Sequence, residues 1–211
     1  IMKKRYAILW DAARVIAAPQ VRKLGTIGGN LCSAVPSADT APPLIVAGAS
    51  LNLIEKNRER TLPVEVFFKG PGESVLDPSE ILKEIILPHP PEHSGGAYLK
   101  LMRRNALDLA LVGVAVWLRL DADRKVCKEA RIALGAVAPT PIRARKAENA
   151  LINHRIDEIR AAEAGEAASR EASPITDIRA TKEYRTEMIK VLTKRAVMKA
   201  FERTGAKGAE I

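Results

Sequence analysis

Residues 20–30 read Gln20-Val21-Arg22-Lys23-Leu24-Gly25-Thr26-Ile27-Gly28-Gly29-Asn30 and form the most informative stretch of this sequence. Neighbouring glycines allow a positive φ and lack the Cβ atoms that would hold a ligand away from the backbone. Consecutive N–H groups can then line a concavity that binds an anion such as a pyrophosphate. The side chains of Thr26 and Asn30 can donate to phosphate oxygens. The alternative is a tight turn between a helix and a strand, since the spacing matches neither a Walker loop nor a Gly-x-Gly-x-x-Gly fingerprint.

The segments on either side of this glycine-rich loop predict a mixed α/β unit. Before the loop, apolar residues recur at helical spacing over positions 8–16, and Pro19 is expected to end this helix. After the loop, apolar residues alternate with other positions at 51–53 and again at 62–66, around a polar tip at 56–60. This pattern is typical of a strand, a turn and a second strand.

A change in character near position 90 predicts two parts. Residues 89–96, rich in Pro, His, Ser and Gly, are expected to be a linker. Beyond the linker we predict strands at 97–101, 110–120 and 126–137, followed by helices at 143–152, 156–172 and 181–201. The predicted fold class is therefore α+β. Residues 1–90 would form a mixed α/β part, and residues 95–205 a three-stranded antiparallel sheet packed on a helical bundle.

The composition narrows the class of protein. Hydrophobic residues make up 47% and charged residues 28% of the chain, ordinary globular values that exclude a wholly disordered protein. No apolar stretch approaches the length of a membrane span, and no apolar signal core follows the basic start. Two cysteines, Cys32 and Cys127, are too few for a disulfide framework, a zinc site or an iron–sulfur cluster. We therefore expect a soluble protein of the cytoplasm.

The net charge of +9 leaves nucleic-acid binding open as a hypothesis. The basic residues are spread along the chain, and aromatic residues, at 4%, offer few platforms on which bases could stack. A nucleic acid is therefore not among the partners that we expect.

Several stretches, in order along the chain, resemble the FAD-binding subunits of molybdenum hydroxylases, such as aerobic carbon monoxide dehydrogenase and xanthine dehydrogenase. The glycine-rich loop, together with Leu31-Cys32-Ser33-Ala34-Val35-Pro36-Ser37-Ala38-Asp39, is similar to the second flavin motif of that family. The segments at 77–82, 98–101, 103–104, 108–110, 133–144 and 177–185 are similar to its later motifs. The resemblance covers essentially the whole chain.

The resemblance implies two domains and a set of cofactor contacts. Residues 1–90 would be the second subdomain of a FAD-binding domain of the molybdopterin dehydrogenase type, and residues 95–205 a carbon monoxide dehydrogenase flavoprotein C-terminal domain. Thr26, Ile27, Gly28, Gly29 and Asn30 would contact the pyrophosphate and ribityl region of FAD, Ser33 and Asp39 would hydrogen-bond nearby polar atoms, and Ile16, Leu82 and Lys100 would border the flavin. Lys100 would favour negative charge on the reduced flavin and raise its potential. No side chain would act as a catalytic acid or base, or as a metal ligand.

Some of these residues also have an ordinary structural interpretation. Asp39 lies where a helix N-cap before Ala41 would lie, and Lys100 is equally typical of a solvated lysine on a strand. Trp10 and Trp117 are predicted to be core anchors.

The family begins with a further subdomain that carries a first glycine-rich loop of the Ala-Gly-Gly-Thr type. Nothing like that loop precedes Ile1, so the resemblance predicts a member whose N-terminal subdomain is missing from this chain, whether by truncation, by separate coding or because the sequence is incomplete. The implied function is electron transfer from the [2Fe-2S] clusters of a small subunit through FAD to an external acceptor. The molybdenum cofactor would lie on a large subunit, in a dimer of heterotrimers. The alternative is a non-catalytic assembly module that docks on partner subunits without retaining FAD.

Overall fold

The computed structural model describes residues 5–104 and 106–205, in which helices pack against antiparallel sheets. The helices are α1 (Ala7–Arg14), α2 (Pro19–Leu24), α3 (Ile27–Cys32), α4 (Ala41–Val46), α5 (Arg145–Leu151), α6 (Glu158–Glu171) and α7 (Lys182–Glu202), with a 3-10 turn at Val64–Val66. The strands are β1 (Ser50–Glu55), β2 (Arg58–Pro63), β3 (Phe68–Gly70), β4 (Glu73–Ser74), β5 (Ile81–Ile86), β6 (Ser94–Leu101), β7 (Val112–Leu120), β8 (Cys127–Gly135) and β9 (Ile142–Arg143). The predicted α+β class is confirmed. Within the described ranges, no helix combines the length and the apolar character that crossing a bilayer requires.

The first sheet has the order β2-β1-β5, and both pairings are antiparallel. Ser50 pairs with Pro63 at one end of the β1–β2 hairpin and Glu55 with Arg58 at the other, so the predicted strand–turn–strand unit is confirmed. Leu53 of the central strand is fully buried and belongs to the same apolar cluster as Leu44 of α4. The sheet thus forms one wall of the first core.

The second sheet has four strands in the order β6-β7-β8-β9, where the sequence predicted three. The additional strand, β9, pairs only with Ala133 and Leu134 of β8. Strand β6 begins at Ser94, inside the segment that the sequence predicted as a linker. The reason is that residues 94–96 pair with residues 117–119 of β7, which extends the ladder beyond the apolar positions.

Strand β7 is buried on both faces. Val114 and Val116 point into the core formed with helices α5, α6 and α7, whereas Ala115 and Trp117 point into the core of the first part. Trp117 is confirmed as a core anchor, and the Arg131 guanidinium carbon lies 4.9 Å from the centroid of its ring. The two parts of the chain therefore share one sheet.

Two expectations for the start of the chain are wrong. Helix α1 ends at Arg14, so Pro19 is not the residue that ends it. Pro19 instead opens α2, where proline is favoured because the N–H that it lacks would have no partner in the first turn. Trp10 is 44% exposed and is not a core anchor. Helix α1 instead buries the neighbouring Ile8, Leu9 and Ala12.

Candidate functional site

The glycine pair lies inside a helix and not in an open loop. Helix α3 begins at Ile27, and Thr26 is its N-cap, with Oγ1 accepting a hydrogen bond from the Gly29 N–H at 2.9 Å. Neither glycine of the pair is among the positive-φ glycines of the described residues. The predicted positive-φ loop is therefore wrong, because a capping threonine leaves the residues after it in helical dihedrals.

The first turn of α3 presents two amide groups. The N–H groups of Ile27 and Gly28 donate to no acceptor among the described residues, as is usual at a helix start. A Cβ built on Gly28 would meet only Leu82 Cδ2, at 3.7 Å, so the glycine leaves these amides open to approach. A negatively charged group can therefore reach the backbone here and accept hydrogen bonds from it.

Asn30 connects α3 to the segment before α4. Its Oδ1 accepts hydrogen bonds from the Thr40 N–H at 3.2 Å and from the Thr40 hydroxyl at 2.5 Å. The Ser33 hydroxyl donates to the Asn30 carbonyl at 2.8 Å. The Asn30 amide group still has its N–H donors for a ligand, since none of them bonds within residues 5–104 or 106–205. Ser33 keeps only its acceptor lone pairs.

A buried ion pair lies behind this segment. Lys100 Nζ donates to Asp39 Oδ2 at 2.8 Å and to the Val15 carbonyl at 3.2 Å, and the lysine side chain is 1% exposed. The Tyr98 hydroxyl donates to Asp39 Oδ1 at 2.8 Å. The interpretation of Lys100 as a solvated strand lysine is therefore wrong. Asp39 is not a helix cap either, because the N-cap of α4 is Thr40.

The charges in this cluster compensate each other. Burial raises the pKa of the Asp39 carboxyl, while the hydrogen bonds and charge of Lys100 and the hydrogen bond from Tyr98 act in the opposite direction. Burial also raises the pKa of Tyr98 well above its usual value, so the phenol stays a neutral donor. The Lys100 ammonium is in direct contact with the Asp39 carboxylate. A ligand beside Lys100 therefore meets a positive charge that is already paired.

The two remaining predicted residues lie at the edges of the same region. Ile16 directly follows Val15, whose carbonyl accepts from Lys100, and it is half-buried. Leu82 of β5 is half-buried beside Gly28. Contacts and chain adjacency therefore place the predicted positions in one region that extends from Leu82, through α3 and the Asp39–Lys100 pair, to Ile16.

Sequence reasoning missed Tyr98 and Thr40 as members of this region. Tyr98 precedes Lys100 by two residues on β6, and positions i and i+2 of a strand share a face. That spacing is a signal that could have found it. Thr40 has no such signal, because its bond to Asn30 spans ten residues and depends on how α3 and α4 pack.

An exposed apolar surface adjoins the open amides. Val21, Leu24 and Ile27 are 48%, 89% and 40% exposed. Leu107 is 59% exposed, and its N–H donates to the carbonyl of Ala17, two residues before α2, at 3.3 Å. Clustered exposed apolar side chains mark surfaces that a ligand or another protein covers.

The cysteines offer no reactive thiolate. Burial raises the pKa of Cys127 to about 11 and also raises that of Cys32. Both thiols are therefore protonated at neutral pH, which does not support nucleophilic chemistry.

Known protein families match both parts of the chain. The FAD-binding domain in molybdopterin dehydrogenase matches residues 1–90, and the CO dehydrogenase flavoprotein C-terminal domain matches residues 97–200. A putative xanthine dehydrogenase FAD-binding subunit of Escherichia coli K12 is 35% identical over 208 residues, which cover 98% of this chain and 70% of that protein. This chain belongs to the FAD-binding subunits of the molybdenum hydroxylases.

Two further relatives of this flavin subunit come from Hydrogenophaga pseudoflava. The carbon monoxide dehydrogenase medium chain is 34% identical over 203 residues, 96% of this chain and 70% of that protein. A solved carbon monoxide dehydrogenase that lacks the Mo-pyranopterin moiety of its molybdenum cofactor matches with a TM-score of 0.91 at 36% identity, covering 96% of this chain and 70% of the other. The predicted family, the oxidoreductase class and the FAD cofactor are confirmed.

The residues of the flavin subunit suit FAD chemically. The diphosphate of FAD is an anion, and the Ile27 and Gly28 amides are donors without an acceptor among the described residues. The flavin ring has broad apolar faces, and Ile27 and Leu82 offer apolar side chains next to those amides.

Proposed function

We propose that this flavin subunit carries electrons from the iron–sulfur clusters of a partner subunit, through FAD, to an external acceptor. The proposal depends on the first turn of α3, where the Ile27 and Gly28 amides bond no acceptor among the described residues and Gly28 carries no side chain. A diphosphate is the part of FAD that such amides bind. FAD supplies the redox chemistry when it is bound, and the protein holds and tunes it.

Each predicted residue has a role in holding the cofactor. Residues 26–30 would bind the pyrophosphate and ribityl region through backbone amides and the Asn30 side chain. Ser33 and Asp39 would hydrogen-bond polar atoms nearby, and Ile16, Leu82 and Lys100 would border the ring. The Lys100 ammonium would favour negative charge on the reduced flavin, which raises its potential.

The other redox centres would belong to partner chains. This chain has two cysteines, whereas a [2Fe-2S] cluster bound by thiolates needs four. We place the clusters on a small subunit and the molybdenum cofactor on a large subunit, within a cytoplasmic dimer of heterotrimers. The relatives described as a FAD-binding subunit and a medium chain support an assembly of several chains.

The test measures FAD in the purified complex. The flavin subunit is co-expressed with its partner subunits, and FAD content and affinity are measured from flavin absorbance and fluorescence. The Gly28→Ala variant adds a methyl group to the first turn of α3, and we expect FAD affinity to fall by about tenfold, or about 1.4 kcal/mol, if the diphosphate approaches this backbone closely. Gly70→Ala is the matched control, because its Cβ would meet only the Glu73 side chain, at 3.4 Å or more.

Wild-type complex without flavin absorbance after gentle purification would overturn the proposal. Unchanged FAD affinity in Gly28→Ala would show that the amides of α3 do not bind the diphosphate.

Assembly without cofactor is the second candidate function. The exposed side chains of Val21 and Leu24 favour it, since a partner surface could cover them. Titration of the chain with FAD, followed by flavin fluorescence, separates the two functions. Saturable quenching rejects the assembly role, and its absence from both the chain and the complex supports it.

A further inference from the structure

Tyr98 contacts Asp39 and is not among the predicted FAD contacts. It is 3% exposed on β6, and its hydroxyl donates to Asp39 Oδ1 at 2.8 Å. We infer that Tyr98 is a positioning residue, which orients the Asp39 carboxylate and, through it, the Lys100 ammonium beside the flavin. This inference rests on the proposed function, because it assumes that Lys100 borders FAD.

Each oxygen of the Asp39 carboxylate has its own side-chain donor. Lys100 Nζ donates to Oδ2 and the Tyr98 hydroxyl donates to Oδ1, both at 2.8 Å. Asp39 is 6% exposed, so water does not readily replace either donor. Two donors on opposite oxygens fix the position and the plane of the carboxylate. The carboxylate in turn determines where the flexible lysine stem places its ammonium, whose other partner is the Val15 carbonyl.

Gly113 of β7 makes room for the Tyr98 hydroxyl. Gly113 pairs with Lys100 across the β6–β7 ladder. A Cβ on Gly113 would lie 2.7 Å from Tyr98 Oη and 3.4 Å from two carbons of the ring. A larger residue would push the tyrosine away, so the close approach of the two strands needs glycine here. The Tyr98 side chain is thus held between the β7 backbone and Asp39.

This arrangement determines how much positive charge a neighbouring group meets. An isolated ammonium strongly favours negative charge on its neighbour, whereas an ammonium in contact with a carboxylate favours it much less. Asp39, held by Tyr98, therefore lowers the potential of the flavin relative to that with Lys100 alone. Loss of either residue should shift the potential upward.

The test is a double-mutant cycle on the flavin potential of the complex. We expect Asp39→Asn to increase the ratio of reduced to oxidised flavin at a fixed poise about tenfold, which is about 30 mV for a two-electron couple. Tyr98→Phe should shift the ratio in the same direction by less, because the carboxylate then keeps one side-chain donor. In the Asp39→Asn background, Tyr98→Phe should cause no further shift.

Tyr184→Phe is the matched control, since Tyr184 is 47% exposed and its hydroxyl bonds nothing within the described residues. An equal shift from Tyr98→Phe with and without Asp39, or no shift in either background, would overturn the inference. If Asp39→Asn does not fold, Lys100→Met provides the second background with the same expectation. Failure of the proposed function is a distinct result, because the wild-type complex would then contain no flavin to titrate.

Discussion

At Thr26, one hydroxyl determines the conformation of the glycine pair. The Thr26 Oγ1 accepts from the Gly29 N–H, and a Cβ on Gly29 would lie only 3.0 Å from that oxygen. A side chain at position 29 would crowd the Thr26 hydroxyl, so this cap favours glycine there. The helix that begins at the cap leaves the Ile27 and Gly28 amides without an acceptor among the described residues. The proposed diphosphate site and the local stability of α3 would therefore depend on the same side chain.

Removal of the Thr26 cap should lower both stability and FAD affinity. We expect Thr26→Ala to reduce the free energy of unfolding by about 1 kcal/mol, because a helix loses its capping acceptor. Urea denaturation measures this loss. Thr181→Ala is the control, since Thr181 caps α7 in the same way, through Tyr184 N at 3.2 Å. Both variants should lose similar stability, but only Thr26→Ala should weaken FAD binding; equal FAD affinities would contradict the assigned role of α3.

Loss of the Lys100 ammonium should destabilise the protein in a pH-dependent way. Lys100→Met leaves the Asp39 carboxylate buried without its counter-charge, and we expect a loss of about 3 kcal/mol near neutral pH. Burial already holds the pKa of the Asp39 carboxyl in the folded state above its ordinary value, and loss of the Lys100 charge should raise that pKa further. The folded state then binds a proton more readily than the unfolded state. The stability of the variant therefore falls as the pH rises from the unfolded pKa of Asp39 through its folded pKa.

Thermal unfolding of Lys100→Met at neutral and at mildly acidic pH checks this expectation. The deficit relative to wild type should shrink at the acidic pH, where Asp39 is protonated. Lys83→Met is the control, because Lys83 pairs with Glu59 at 3.2 Å on the exposed surface and should matter little. A deficit that is the same at both pH values would show that the loss comes from packing.

At the scale of elements, helices α6 and α7 pack closely because α6 contains a glycine at the contact. A Cβ on Gly165 would lie 2.6 Å from the Lys190 carbonyl of α7. Ion pairs flank this contact, with Lys190 Nζ 3.3 Å from Glu166 and Lys194 Nζ 2.6 Å from Glu158. Because the two helices lie close together, the buried alanines of α6 and the apolar side chains of α7 pack in the same second core.

Alanine should have opposite effects at two helical glycines. In general alanine stabilises a helix relative to glycine by roughly 0.5–1 kcal/mol, and we expect Gly28→Ala to follow this rule because its Cβ has room. Gly165→Ala should instead destabilise by about 1–3 kcal/mol, because the helices must move apart. Chemical denaturation of the two variants gives the comparison. A gain of stability in Gly165→Ala would mean that the two helices pack less closely than the 2.6 Å distance between the added Cβ and the Lys190 carbonyl indicates.

At the scale of the whole molecule, the two parts of the chain are joined along β6 and β7. The guanidinium of Arg203, just after α7, donates to the Asp11 carboxylate of α1 at 2.5 Å. The Tyr98 N–H of β6 donates to the same carboxylate at 3.3 Å. Burial raises the pKa of Asp11, but the Arg203 guanidinium and its other partners leave that pKa lowered overall. Because β7 also buries side chains on both of its faces, neither core is complete without the shared sheet.

The chain should therefore unfold in one cooperative transition. We expect tryptophan fluorescence, which reports on Trp117 in the shared sheet and on Trp10 of α1, and circular dichroism, which reports on all helices, to give the same midpoint in urea. Arg203→Met should lower both midpoints together. Two separated transitions would show that the parts are independently stable domains.

The candidate site shows how far residue types alone predict function. The ordered motifs led to the correct family and cofactor, because several of them occur along the whole chain in the order that the family has. The conformation of the glycine pair was not predicted correctly, since glycine permits both an open loop and a helical turn, and the Thr26 cap selects the turn. The cluster around Asp39 was not foreseen, because its members are 59 and 61 residues apart along the chain.

Local patterns in the sequence were enough to predict three of the four strands and the three helices of the second part, because long apolar runs and helical spacing act locally. The sequence also determined the family, through motifs in a fixed order. Three features could be learned only from the folded chain: Lys100 is buried and paired, Trp10 is exposed, and β6 begins within the expected linker. Each of these features depends on contacts between residues distant in the chain, and the free energies of such contacts do not appear in any local pattern.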